Sequence, residues 1–215
     1  MSTLNGTAEQ VASYLLKIGA VALRPHEPFT WTSGIKSPIY CDNRLTMSHP
    51  EVREFIAESF ASVIREQYPD TDVIAGTATA GIPHAAWVSQ KLNLPMAYIR
   101  DKAKGHGKEN MIEGLIKPGQ KVIVIEDLIS TGGSSIKAAK AVEAAGAEVQ
   151  TILAIFTYQL DKAAQAFEEA GIPLQSLSNY TALTQVAAQQ GIIQSEDLEL
   201  LQSFRENPAA YGASQ

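Results

Sequence analysis

Scarcities narrow the chain first. Its 215 residues include one cysteine, Cys41, so no disulfide can close within it and no cysteine-rich zinc site can form. Metal chemistry is left to carboxylates and the four histidines. No run of about 18 apolar residues occurs, which excludes a membrane-spanning helix, and MSTLNGTAEQ at the start lacks the basic and apolar regions of a secretion signal. A cytoplasmic protein is expected. Positive charge is the minority, 17 Lys and Arg against 23 Asp and Glu for a net charge of −6, so neither a nucleic-acid binder nor an anionic-membrane binder is encoded. That sum still permits a local basic loop. Internal repeats and low-complexity tracts are missing, and 45% apolar with 19% charged residues is the composition of one folded globular domain.

Val11, Ala12, Leu15, Leu16 and Ile18 recur at one-sided helical spacing, which predicts a helix over Ala8–Ile18. Pro25, Pro28, Gly34 and Pro38 break the stretch to Asp42 into a turn-rich hood. Ser48 and Glu51 have capping-box spacing, with Pro50 in the first turn, ahead of a helix with Val52, Phe55, Ile56, Phe60, Val63 and Ile64 on one face that ends before Pro69. The pattern then changes to short runs that are apolar on both faces, at Val73–Ala75, Met96–Ile99, Lys121–Ile125 and Thr151–Phe156. Helices over Pro83–Leu92 and Ser134–Ala145 alternate with them. This predicts an α/β fold, an open doubly wound parallel sheet flanked by helices. Helices over Thr181–Gln190 and Ser195–Phe204 follow, with a fraying tail from Asn207. The expected organisation is one domain over 1–215: a helix and small N-terminal hood to about residue 48, an α/β core to about 160 and C-terminal helices to about 206.

The most informative segment is a buried strand entering two acids, a small polar turn and a helix: Val122-Ile-Val-Ile-Glu126-Asp127-Leu128-Ile129-Ser130-Thr131-Gly132-Gly133-Ser134-Ser135. Ligands of open α/β sheets sit at the carboxyl ends of strands. Small residues there let backbone N–H groups and a helix N-terminus approach an anion, so the turn from Thr131 to Ser135 suits a phosphate monoester. Neither a Walker A loop nor G-x-G-x-x-G occurs, which removes the triphosphatase and dinucleotide readings. Glu126 and Asp127 can accept hydrogen bonds from vicinal ribose hydroxyls, help hold a hydrated Mg²⁺ or stabilise positive charge on a sugar ring. Two adjacent acids alone would merely end a strand at solvent; their union with the Ser-Thr-Gly-Gly-Ser turn marks a site. Tyr98–Asn110 is the densest basic stretch, interrupted by glycines, and suits a lid that neutralises a pyrophosphate leaving group and excludes water. A solvated charge run is the alternative.

An apolar strand, two acids, two hydrophobic residues and Ser/Thr-x-Gly resemble the phosphoribosyl-pyrophosphate motif of the type I phosphoribosyltransferases. Arg100-x-x-x-Lys104-x-His106-Gly107 looks like the lid of the orotate phosphoribosyltransferases, and Phe29-Thr-Trp-Thr-Ser-Gly-Ile-Lys-Ser-Pro38 is similar to that family's N-terminal segment. Gly76–Pro83 resembles its pyrophosphate-contacting loop. The resemblance implies the type I phosphoribosyltransferase fold and Mg²⁺-dependent transfer of 5-phosphoribose from phosphoribosyl pyrophosphate (PRPP) to orotate in pyrimidine (UMP) biosynthesis. The reaction gives orotidine 5′-monophosphate and pyrophosphate. It also implies a homodimer whose lid residues act across subunits.

Carried onto this chain, the resemblance makes Arg100, Lys104, His106 and Asp127 catalytic. Arg100, Lys104 and His106 together with Glu126, Asp127, Leu128, Ile129, Ser130, Thr131, Gly132, Gly133 and Ser134 would bind PRPP, and Ser130 would also border orotate. The metal ligands are left unassigned. Where many members carry basic residues in the N-terminal segment and after the strand ending at Phe156, this chain has Thr32 and Thr157-Tyr158-Gln159. Lys36 and Arg44 are the expected substitutes for holding orotate's carboxylate. His26, His49 and His84 show no ligand spacing, and Trp31 and Tyr40 could equally border the base or pack. The rival readings are a transferase for another nucleobase and a regulator of the same fold that senses PRPP.

Overall fold

The computed structural model describes residues 3–31, 34, 36–102 and 111–213. Helix α1 (Thr3–Lys17) buries Val11, Ala12 and Leu15 and leads into a hood of two short antiparallel pairs. In one, β1 (Val21–Leu23) pairs with β4 (Ile39–Cys41); in the other, β2 (Phe29–Thr30) pairs with β3 (Lys36–Ser37). A 3₁₀ turn over Asn43–Ser48 then delivers the chain to α2 (Pro50–Gln67). The predicted capping box does not form. His49 occupies the cap position with no side-chain cap bond, because Ser48 is taken up in the 3₁₀ turn, and Pro50 opens the helix.

The core continues as β5 (Val73–Thr77), α3 (Gly81–Leu92), β6 (Met96–Ile99), β7 (Ile112–Glu113), β8 (Lys121–Ile129), α4 (Gly133–Ala144) and β9 (Glu148–Thr157). It closes with α5 (Asp161–Ala170), β10 (Leu174–Asn179), α6 (Tyr180–Gln189), α7 (Asp197–Glu206) and α8 (Pro208–Ala213). A strand, β10, corrects the sequence reading of 161–206 as helices alone, and α5 is a helix that reading did not delimit. Helix α5 packs Ala163 and Phe167 against the sheet, and β10 adds an outer parallel strand beside β9. Past Asn207 the tail forms α8 rather than fraying, with Tyr211 buried and its hydroxyl donating to Pro25 O at 2.7 Å.

The main sheet runs β10-β9-β8-β5-β6-β7, parallel throughout except for the short antiparallel edge β7. Alternation along the strands fills both faces. Ile74, Ile123, Ile125, Leu153 and Ile155 join the core with α1, α2 and α3, while Val73, Ala75, Val122, Val124, Ile152 and Ala154 join the one with α4 and α5.

From β5 the chain steps outward to β6, then returns to place β8 on the other side of β5 and continues to β9 and β10. The reversal opens a crevice beyond the carboxyl ends of β5 and β8, the position where doubly wound sheets bind ligands. Helix α3 sits tight against it: a Cβ on Gly81 would lie 2.5 Å from Ile125 O and 2.6 Å from Thr77 Oγ1.

Candidate active site

Strand β8 runs four residues past the predicted end, so Glu126 and Asp127 are strand residues rather than a strand terminus. Glu126 is 6% exposed; its Oε2 accepts from Ser135 Oγ at 2.8 Å and its Oε1 accepts from the Asp127 N–H at 3.0 Å. That carboxylate braces the first turn of α4 against the strand. Asp127 is half-buried. Burial first, then hydrogen bonding and charge from Glu126, push its carboxyl up to about 7. Its carbonyl accepts from Asn43 Nδ2 at 2.7 Å, which ties the hood to β8.

Ser130 and Thr131 leave the strand, and Gly132 turns the chain at φ +82° into α4. A Cβ there would meet Phe167 Cε2 at 2.6 Å, so both backbone angle and space demand glycine. Thr131, Gly133 and Ser134 are exposed. The first N–H groups of a helix have no acceptor within it, and at this turn they face the crevice mouth with the positive end of the dipole. All nine residues from Glu126 to Ser134 thus form one strand-turn-helix unit, with Leu128 on the cavity wall described below and Ile129 in the core.

On the β5 side, Thr77 is buried and donates to Ile125 O at 3.2 Å, and the Ala78 N–H donates to Ile99 O at 2.8 Å. The Ala78–Thr79 peptide is cis. Arg100 follows β6, with its N–H on Met111 O at 2.8 Å and its Nη1 3.5 Å from Glu113 Oε1. It lines a narrow cleft with Thr77, Ala78, Ser134 and Lys137, which brings it to the same crevice as the β8–α4 turn. Lys137, absent from the sequence reading, donates from α4 to Asp101 O at 2.6 Å. Lys104 and His106 lie outside the described residues.

On the hood side of Ser130 and Thr131 lies a cavity of about 770 Å³. Trp31, Tyr40, Cys41, Leu128 and Tyr158 give it a largely aromatic and apolar lining. Trp31 is held by Nε1 donating to Ile39 O at 3.1 Å, with its ring 5.2 Å from Tyr158 and edge-on to Phe204 at 6.0 Å. Trp31 and Tyr40, open between packing and base contact in sequence, therefore border the cavity. Burial pushes the Cys41 thiol and the Tyr158 phenol well above their ordinary values, so both are un-ionised walls.

Lys36 and Arg44 are not brought to this lining. Lys36 Nζ donates to Thr30 Oγ1 at 2.9 Å on the rim, and Arg44 grips Asp42 through Nε and Nη2 at 2.6 and 2.8 Å. Among the described residues the cations that do line the cavity are Lys162, at the start of α5, and Arg205, in the last turn of α7. Neither was visible in sequence, since nothing local links them to the motif. His84 is buried in α3 near Thr46 Oγ1 at 3.3 Å, and burial lowers it to about 4. Among the described residues no cluster of three or more His, Cys, Asp or Glu could hold a metal ion, and no helix is long and apolar enough to cross a membrane.

A phosphoribosyl transferase domain model matches residues 47–190. The chain is 60% identical over 204 residues to the orotate phosphoribosyltransferase of Listeria monocytogenes serotype 4b (strain F2365), covering 95% of this chain and 98% of that one. It is 57% identical over 201 residues to the orotate phosphoribosyltransferase of Bacillus anthracis (strain CDC 684 / NRRL 3495), covering 94% and 96%. Among solved structures it is similar to orotate phosphoribosyltransferase from Aeropyrum pernix, with a TM-score of 0.73 and 27% identity over 85% of this chain and 99% of that one. With a matching domain over 47–190 and relatives this similar along nearly their whole length, the chain belongs to the orotate phosphoribosyltransferase family.

Proposed function

We propose that the chain transfers 5-phosphoribose from PRPP to a ring nitrogen of orotate in de novo pyrimidine synthesis, releasing pyrophosphate. One observation carries this reading. The anion-ready turn of Ser130–Ser134 has the Glu126–Asp127 pair at its base and shares Ser130 and Thr131 with a flat-walled cavity able to take a pyrimidine. The 5-phosphate sits on the N–H groups from Thr131 to Ser134, and the ribose hydroxyls donate to Asp127, with Glu126 keeping the turn in place. Pyrophosphate leaves toward the 76–83 loop and Arg100, where Lys104 and His106 of the lid complete its neutralisation.

The bond from C1′ to pyrophosphate oxygen breaks as the bond to the ring nitrogen forms, and the electron pair departs with pyrophosphate. Positive charge on the sugar at that moment is stabilised by the acidic pair rather than by a covalent nucleophile. Asp127 would offer Mg²⁺ a carboxylate oxygen, with Glu126 held by its own donors, and this ion takes its remaining ligands from water and substrate oxygens. Bound with PRPP, Mg²⁺ supplies charge neutralisation of the leaving group. We place the working enzyme in the cytoplasm as a homodimer formed by one domain over the whole chain, with lids acting across subunits.

Orotate's ultraviolet absorbance falls on conversion to its nucleotide, so purified protein with PRPP and Mg²⁺ tests the assignment. A fall with adenine or another base but not with orotate would replace it by the other-nucleobase reading.

A further inference from the structure

We infer that Arg205, from the C-terminal helix α7, is the residue that holds the carboxylate of orotate. The inference rests on the proposed function and specifies how that site tells its substrate from an uncharged pyrimidine.

Orotate is a flat ring with one anionic group beside the reacting nitrogen, so its cavity needs planar walls and a fixed cation. Trp31 and Tyr158, packed on each other at 5.2 Å, form one aromatic wall. Of the cations expected from sequence, Arg44 is occupied by a two-point pair with Asp42 and Lys36 is engaged at the rim with Thr30; neither lines the cavity. Strand β9 ends at Thr157 and is followed by Tyr158-Gln159, without an arginine.

Gln159 takes a left-handed backbone at φ +56° and turns its amide to another task. Its Oε1 accepts from the Thr181 N–H at 3.0 Å and from Thr181 Oγ1 at 2.7 Å. With its hydroxyl proton thus directed at Gln159, Thr181 Oγ1 accepts from Arg205 Nη1 at 3.1 Å. The relay Gln159–Thr181–Arg205 fixes one of five guanidinium N–H groups, and Arg205 borders both this cavity and a smaller one lined by Tyr180, Thr181, Gln185 and Gln202. Arg205 is half-buried, borders the cavity, and forms no ion pair among the described residues, although Asp161 and Glu206 also line that space. A planar guanidinium meets a carboxylate at two points. Lys162 is the competing cation; it is exposed and has no comparable brace.

The wall that carries Arg205 is anchored to the hood. Asp197 at the start of α7 pairs with His26 at 2.7 Å, Phe204 packs on Trp31, and Tyr211 of α8 bonds Pro25. The C-terminal helices therefore form part of the base site.

Orotidine 5′-monophosphate and uridine 5′-monophosphate differ only by the carboxylate, so the ratio of their dissociation constants isolates it. The full-length protein and its Arg205→Gln, Arg205→Lys, Lys162→Ala, Lys36→Ala and Arg44→Ala variants are titrated with both nucleotides, and the KM for PRPP is measured beside them. Arg205→Gln is expected to lose about 30- to 100-fold of the preference for the carboxylated nucleotide, as for loss of one partner from a desolvated charge pair. Uridine monophosphate affinity and the KM for PRPP stay within about threefold, and Arg205→Lys keeps part of the preference. An unchanged ratio in Arg205→Gln overturns the inference, as does an equal loss for both nucleotides, which marks a structural role. A collapse in one of the other three variants with Arg205→Gln intact gives the role to that cation instead. A wild-type protein that neither prefers the carboxylated nucleotide nor consumes orotate removes the functional reading itself, a result separable from any behaviour of the variants.

Discussion

Glu126 and Asp127 are neighbours with the same chemistry and different tasks, and their partners set the division. Both oxygens of the buried Glu126 are engaged by protein donors, whereas Asp127 is half-buried, is held partly protonated by burial and by Glu126, and is the one we propose meets the ligand. PRPP affinity should therefore weaken as pH falls through about 7, because only the ionised carboxyl accepts from hydroxyls without competing for a proton. Calorimetric titration at pH 6 and pH 8 checks this, and Asp127→Asn should abolish the dependence while lowering kcat by about 10²- to 10³-fold. A wild-type affinity flat across that range would contradict the assignment.

His84 has the opposite relation to pH. Its folded value of about 4 lies below the unfolded one near 6.5, so the unfolded chain binds more protons between them and stability falls as pH drops through that window. Asp127, raised in the fold, contributes with the reverse sign there, so the difference between wild type and His84→Gln isolates the histidine. Urea unfolding should show wild type losing up to about 3 kcal/mol more than the variant between pH 6.5 and pH 4. Equal losses would mean the ring is not held neutral. In sequence, Glu126 and Asp127 were legible because they abut the turn they serve. Arg205 was not, since the relay that places it joins residues 159, 181 and 205 through the fold alone.

At the scale of elements, the β8–α4 turn depends on Gly132. Its φ of +82° and the ring of Phe167 leave no room for a side chain, and α5, which brings that ring, thereby braces the turn. Gly132→Ala should cost about 1–3 kcal/mol in thermal or urea unfolding and raise the KM for PRPP more than that for orotate. A variant with wild-type stability and KM would show that the turn tolerates another geometry. The buried parallel strands were readable because each is apolar on both faces. Strand β10, Leu174-Gln-Ser-Leu-Ser-Asn179, escaped detection because it is polar at the sheet's outer position, with Ser178 donating to Ala8 O. The hood strands span two or three residues, too few for alternation to register. The Ser48 capping box failed because local spacing cannot foresee a preceding 3₁₀ turn.

At the scale of the molecule, the reversal of strand order brings three distant stretches to one crevice: the β5 loop, Arg100 after β6 and the turn after β8. The hood and α7–α8 close its far side, joined by the His26–Asp197 pair and by Tyr211 on Pro25. Sequence order alone located the first group, because each stretch follows a readable strand. It left the second unplaced, because the contacts between hood and C-terminus span more than 170 residues of chain. A dimer of 23.1 kDa subunits is the assembly we propose, and sedimentation should give about twice that mass; a monomer active at the same concentration would remove the cross-subunit lid.

Orotate transfer is tested most directly by the fall in orotate absorbance when PRPP and Mg²⁺ meet the purified protein. The expected result is a fall that requires all three components and is nearly lost in Asp127→Asn. Unchanged orotate absorbance despite tight PRPP binding would contradict it.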